Sequence, residues 1–192
     1  MKDSDIQPLL ALLLDEDPEA FRLVYEKTAD HIYRTVYYLV TNKNEVNDIV
    51  SEIYIAMLSA LPAYDYNRPF RAWLNGLIIN QVNHHNRKGW RFLRLINRNK
   101  QLYGVQPWKR PDELAVEEEE KHQVLQLVNS LSAKHKQIIV LRYYQDCSFE
   151  EIASTLQIPL GTAKSRHHEA LKKLRNRTSH SQFFKEVFNH VD

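Results

Sequence analysis

Nine histidines and one cysteine are the side chains in this 192-residue sequence best suited to hold a metal or act as a nucleophile. Their spacing argues against both roles. His84-His85 and His167-His168 are adjacent pairs, which a helix turns to different faces, and neither H-E-x-x-H nor C-x-x-C occurs. Cys147 stands alone, which excludes a disulfide framework and a cysteine-rich zinc site and fits a reducing compartment. No glycine-rich phosphate loop and no Ser/His/Asp order stands out. No catalytic residue, metal or cofactor is therefore expected, and the chain reads as a binding protein rather than an enzyme. The chemistry on offer is contact with a polyanion. Thr162, Lys164, Ser165, Arg166, Glu169, Lys172 and Lys173 share the outward side of a helical repeat. Lys and Arg suit phosphates, Thr, Ser and Arg suit base edges, and a carboxylate such as Glu169 can accept from cytosine N4 while repelling phosphate. Tyr64, Tyr66, Asn67 and Arg68 join aromatic, amide and guanidinium groups in one loop, a set suited to an unstacked base. Arg87, Lys88, Arg91 and Arg94 interleave with Trp90 and Phe92, which suits phosphates beside a groove or a single strand.

The net charge is only +2, but charge is segregated along the chain. Residues 1–65 hold twelve acids and five bases, whereas residues 66–111 hold ten bases and no acid. Residues 112–120 hold six acids and no base, and residues 152–185 hold seven bases against Glu169 alone. Two basic blocks predict two separate contacts with a polyanion. The acidic stretches predict a basic protein partner or a solvated linker.

The elements that position these groups read as helices throughout. Gly is rare and β-branched alternation nearly absent, so the expected fold is all-α: two small helical domains joined by a linker, the second containing a helix-turn-helix. Leu9, Leu10, Leu13 and Leu14 form a first apolar stripe, and the run that holds them, Leu9-Leu10-Ala11-Leu12-Leu13-Leu14, is too short to span a bilayer and unlike a signal peptide. Asp17-Pro18 restarts a helix whose stripe runs through Phe21, Val24, Tyr25, Ile32, Val36, Leu39 and Val40. Asn44–Leu61 is the next helix, with Val46, Ile49, Val50, Ile53, Ile55 and Met57 inward, and Pro62 ends it. Phe70–Arg94 carries the stripe Phe70, Trp73, Leu74, Leu77 and Ile78. Gly104, Pro107 and Pro111 mark the linker, 95–116. Helices are expected over Glu117–Ser130 and Ser132–Tyr144. Ser148 with Glu151 is a capping box that opens a helix. Gln157-Ile158-Pro159 breaks it, and a second helix runs from Leu160 to about Arg175 with Leu160, Ala163, His167, Ala170, Leu171 and Leu174 inward. Two short helices across a tight turn, the second basic outside, describe a DNA-reading helix-turn-helix and equally a helical hairpin with a solvated face. Residues 178–192 form a short amphipathic tail.

The wording of these segments resembles a known family. D-C-S-F-E-E-I-A-S-T-L-Q-I-P-L-G-T-A-K-S-R is similar to the promoter-reading helix-turn-helix of bacterial sigma factors, nearest the small extracytoplasmic-function (ECF) class of the sigma-70 family. L-L-L-D-E-D-P-E-A-F-R-L-V-Y-E, N-D-I-V-S-E-I-Y, F-R-A-W-L-N-G-L-I-I-N and L-S-A-K-H-K-Q-I-I-V-L-R-Y-Y resemble further segments of that family in the correct order. The resemblance implies that 1–94 binds core RNA polymerase and melts the minus-10 element, and that 117–177 reads the minus-35 element. It implies that Asp48, Ser51 and Glu52 face a coiled coil of the largest polymerase subunit, and that the second domain meets the flap. It implies that the loop holding Tyr64, Tyr66, Asn67 and Arg68 captures a flipped base, with Asn80, Arg87, Lys88 and Arg91 along the melted strand. The family also implies a cytoplasmic protein with an anti-sigma partner, often at the membrane, and no stable homo-oligomer. Gly76, Ile79, His84 and Glu169 depart from the family's usual residues, so Glu169 reads either as a determinant of promoter choice or as a tolerated surface acid. Two other readings stay open: a helix-turn-helix regulator that binds duplex DNA without polymerase, and a sigma-like adaptor that binds polymerase without melting DNA.

Overall fold

The computed structural model describes residues 3–15, 17–96 and 125–177, with only the helix backbone over 88–96. Most of the expected linker and the whole 178–192 tail lie outside the described residues. Among the described residues every regular element is helical. The chain divides into two compact units, Met1–Pro111 and Asp112–Asp192.

The first unit packs four long helices: α1 (Asp3–Leu14), α2 (Pro18–Leu39), α3 (Val46–Ala60) and α4 (Phe70–Ile96). Asp17 caps α2 by accepting from the Glu19 and Ala20 amides, with Pro18 in the first turn where its missing N–H costs nothing. Ile6, Leu10, Ile32, Ile49, Ile53, Met57, Phe70, Leu74 and Ile78 are fully buried. Each such side chain contributes about 1.5–3 kcal/mol. Thr28 is buried among them, and its hydroxyl is held by the Val24 carbonyl at 2.7 Å and the Tyr54 hydroxyl at 2.9 Å.

The centres of the stripes differ from expectation. In α1 the buried line is Ile6, Leu10 and Leu13, while Leu14 is exposed. Tyr25 is exposed on α2, its ring tilted against those of Phe21 and Tyr54. Ile55 is 65% exposed, because Ile53 and Met57 already fill the inward side of α3. That α-helix is also shorter than Asn44–Leu61: one 3-10 turn, Lys43–Glu45, precedes it and another, Leu61–Ala63, follows with Pro62 inside.

The second unit contains a helical segment over 125–129, α5 (Ala133–Ile139), α6 (Phe149–Leu156) and α7 (Leu160–Arg177). Rather than staying α-helical to Tyr144, α5 passes into a π-helical stretch, Val140–Tyr144. Ile138, Leu141, Ile152, Ala163, Ala170 and Leu174 form its core. Leu160, expected inward, is exposed at the start of α7.

Candidate nucleic-acid interface

The second unit builds its basic face from local rules. The Ser148 hydroxyl accepts from the Glu151 amide at 3.1 Å, and the Glu151 carboxylate accepts from the Ser148 amide at 2.7 Å, which completes the capping box. α6 ends where Gln157 takes the left-handed conformation, φ 53° and ψ 48°. The Ile158 amide then reaches the Ala153 carbonyl at 3.0 Å, a Schellman-type closure. The Pro159 carbonyl accepts from Thr162 and Ala163, so α7 starts within three residues of the end of α6. Small Ala163 and Ala170 seat α7 on the core.

That seating leaves Lys164, Ser165, Glu169, Lys172 and Lys173 exposed and Thr162 and Arg166 half-buried. Ser165 turns its hydroxyl back to the Thr162 carbonyl, 3.1 Å away. His167 faces inward as expected. Its ring stacks on Tyr143, 5.7 Å between centroids, and meets Phe149 edge-on at 5.0 Å. The Tyr143 hydroxyl lies 3.0 Å from its Nε2. Burial, aided by the charge of Arg142 and by His168, holds the His167 imidazole below its usual range.

Glu169 and Lys173 do not point to solvent alone. The Glu169 carboxylate lies 3.0 Å from Nε2 of His135, and Lys173 Nζ lies 3.3 Å from Nδ1 of the same ring. His135 is almost completely buried. Sequence reasoning did not link them, because the pair is 34 residues apart.

In the first unit, Asn80, His84 and Arg87 are exposed at spacings of four and three on α4, one face of the helix. A side chain added at Gly76, one turn earlier, would meet nothing within 4 Å. The Lys88 and Arg91 side chains lie outside the described residues. His85 is turned aside to the Glu45 carboxylate at 3.1 Å.

The loop before α4 corrects one expectation. Tyr64 is 5% exposed, packed against Tyr66, Phe70 and Trp73, with its hydroxyl donating to the Arg68 carbonyl at 2.5 Å. Its ring is a floor of the loop rather than a platform for a base. Burial accordingly raises the Tyr64 hydroxyl above its usual range. Tyr66, Asn67 and Arg68 are exposed above it. Asp65 organises them by accepting from both the backbone and the side-chain amide of Asn67, at 2.9 and 3.0 Å. Two α1 residues close the loop from a distance. Gln7 donates to the Tyr66 carbonyl at 3.0 Å, and Asp3 accepts from the Phe70 amide at 3.1 Å, capping α4. The D-Y-N spacing could have flagged Asp65; nothing local flags Asp3 or Gln7.

On α3, Asp48 and Ser51 are exposed and Glu52 is half-buried. Ser51 borders a cleft between α2 and α3 whose walls include Tyr25, Asp30, Tyr33, Asn47 and Tyr54. The spacing of Tyr25, Ala29 and Tyr33 by four was the available sign of that wall.

The family model described as Sigma-70 region 2 matches residues 24–92, and that described as Sigma-70, region 4 matches residues 122–176. The ECF RNA polymerase sigma factor SigL of Mycobacterium tuberculosis is 30% identical over 155 residues, which cover 80% of this chain and 86% of SigL. The chain belongs to the ECF class of the sigma-70 family. SigX and SigW of Bacillus subtilis, also ECF RNA polymerase sigma factors, are 25% and 28% identical over 166 residues each. Those alignments cover 82% of this chain and 82% of SigX, and 83% of this chain and 89% of SigW. Two solved structures share the fold of this sigma factor. CnrH in complex with the cytosolic domain of CnrY gives a TM-score of 0.64 at 20% identity, covering 91% of this chain and 97% of CnrH. RpoE of Bartonella quintana in complex with the anti-sigma factor NepR gives 0.66 at 17% identity, covering 84% and 98%. A free-standing duplex-binding regulator would need only the second unit and would leave the region 2 match over 24–92 without a role. As an ECF sigma factor, the protein directs RNA polymerase.

Proposed function

We propose that this sigma factor directs core RNA polymerase to its promoters through one contact surface in each unit. The observation that carries the reading is that both matched regions present a helix face with exposed polar and basic groups. In the second unit, Thr162, Lys164, Ser165, Arg166 and Lys172 read and grip the duplex of the minus-35 element. In the first, Tyr66, Asn67 and Arg68 take an extruded base of the minus-10 element above the Tyr64 floor. Asn80, Arg87, Lys88 and Arg91 follow the opened strand along α4. Asp48, Ser51 and Glu52, with the cleft beside them, dock on the largest-subunit coiled coil of the polymerase, and the second unit docks on the flap. Binding energy drives melting, and the polymerase makes the bonds. The protein works as a single copy in the cytoplasm, where polymerase is found, and is restrained by an anti-sigma factor. NepR bound to RpoE, a protein of the same fold, supports that partner.

Run-off transcription from fragmented genomic DNA, with core polymerase and with or without the full chain, tests the proposal. Discrete new transcripts that share an upstream element are expected. Core binding without transcripts would favour an adaptor, and the absence of both core binding and transcripts would overturn the reading.

A further inference from the structure

Glu169 stands in the middle of the basic face of α7, where a carboxylate works against phosphate binding. Its bond to His135 supplies a different reason for it. An ionised carboxylate only accepts, so the hydrogen of the ring sits on Nε2 and points at Glu169, 3.0 Å away. In the neutral ring Nδ1 is then the acceptor, its one lone pair taken by the Ser132 hydroxyl at 2.9 Å and shared more weakly with the Lys173 ammonium at 3.3 Å. Ser132 holds the N-cap position of α5, yet its side chain makes no cap bond to the helix; it serves the ring instead. Both edges of one buried imidazole on α5 are thus tied, and two of the three ties come from α7. Glu169 and Lys173 are four residues apart, so they grip the ring from successive turns. The His135 bond also holds the Glu169 carboxyl below its usual range.

We propose that Glu169 is a positioning residue: through His135 it fixes the rotation of α7 on α5, and so decides which of Thr162, Lys164, Ser165 and Arg166 meet which base edges, without reading a base itself. This rests on α7 being the minus-35 reader. α7 is seated through Ala163, Ala170, Leu171 and Leu174, contacts that are apolar and non-directional, and a hydrogen bond to a ring tied at both edges adds a directional constraint on its rotation. Lys173 belongs to the same clamp rather than to the phosphate contacts.

The test uses the full chain with core polymerase and a promoter library randomised over the upstream element. E169A and H135A should each weaken upstream selection by up to about fivefold, the scale of one net hydrogen bond. Both should broaden the base preference in the same pattern at several positions. The double variant should be no weaker than the weaker single. E169Q, whose amide oxygen still accepts from Nε2–H, should recover the wild-type pattern. Should H135A fail to fold, ring 15N NMR of wild type, E169Q and E169A carries the test: the bonded Nε2–H signal should persist in the first two and be lost in the third. E169A changing preference at a single base pair while H135A leaves the pattern intact would overturn the inference, as would multiplying effects or an unaltered Nε2–H signal in E169A. A wild-type holoenzyme with no upstream preference would instead remove the reading of α7, and this inference with it.

Discussion

Removing the Tyr64 hydroxyl should loosen the loop above it while leaving the ring packed. Tyr64→Phe loses the bond to the Arg68 carbonyl, about 1 kcal/mol of stability. It should reduce promoter opening, followed by permanganate footprinting, without changing upstream binding by the second unit. His167 makes a pH prediction. Burial depresses its pKa, so as pH falls through about 6.5 the unfolded ring gains a proton before the folded ring does. The unfolded chain then binds more protons. Stability is therefore full above that pH and is lost as pH falls toward the lower folded value. His31 in the first unit is shifted the same way, again chiefly by burial. The melting temperature measured from about pH 7.5 to 5 should decline for both units. His167→Gln, which still offers an acceptor to the Tyr143 hydroxyl, should flatten the decline of the second unit alone. Tyr64, His135 and Glu169 show why side-chain roles were only partly legible in the sequence. The outward position of Glu169 was read correctly, whereas Tyr64 was expected to face a base and is buried. Their partners could not be read, because no local pattern pairs Glu169 with a ring 34 residues away.

Helix starts were legible because capping is local chemistry. Asp17-Pro18 and Ser148 with Glu151 form the caps expected of them. Stripe centres were less so. Periodicity gives the spacing of an apolar face, and its edges depend on the neighbouring helix. Leu14, Tyr25 and Leu160 are edge residues assigned to the wrong side, and Ile55, two residues from both Ile53 and Met57, lies opposite the buried face. The π-helical end of α5 has no sequence signature at all: Val140–Tyr144 reads as a continuation of the helix. The break after α6 falls within Gln157-Ile158-Pro159 as expected, and the residue that reverses the chain is Gln157. A side chain with a Cβ in the left-handed region costs roughly 1 kcal/mol. Gln157→Gly should therefore raise the melting temperature of the second unit, and Gln157→Val should lower it. Asp3→Ala removes the cap of α4 and should cost about 0.5–2 kcal/mol in denaturant titration, on the scale of a helix cap. A fall confined to the α1–α2 pair would contradict that cap.

At the scale of the whole molecule, the division of charge in the sequence predicts two contacts with a polyanion, and the family matches fall one in each unit. Upstream binding should weaken with salt. Lys164→Ala, Arg166→Ala and Lys172→Ala should each reduce the slope of log affinity against log salt by about one. Lys173→Ala should reduce it by less, since that ammonium is turned toward His135. The long reach of α1 has a consequence for synthesis. Its bonds to Tyr66 and Phe70 span 59 and 67 residues. At bacterial-type elongation of about 5–20 residues per second, α1 leaves the ribosome roughly 3–13 s before those partners emerge. The helix can settle on α2 first, but the cap of α4 closes only when most of the first unit has been translated. A nascent chain stalled before residue 70 would therefore carry a helix nucleus whose loop-side polar groups still face water, and the base-capturing loop would be among the last parts of that unit to gain its shape.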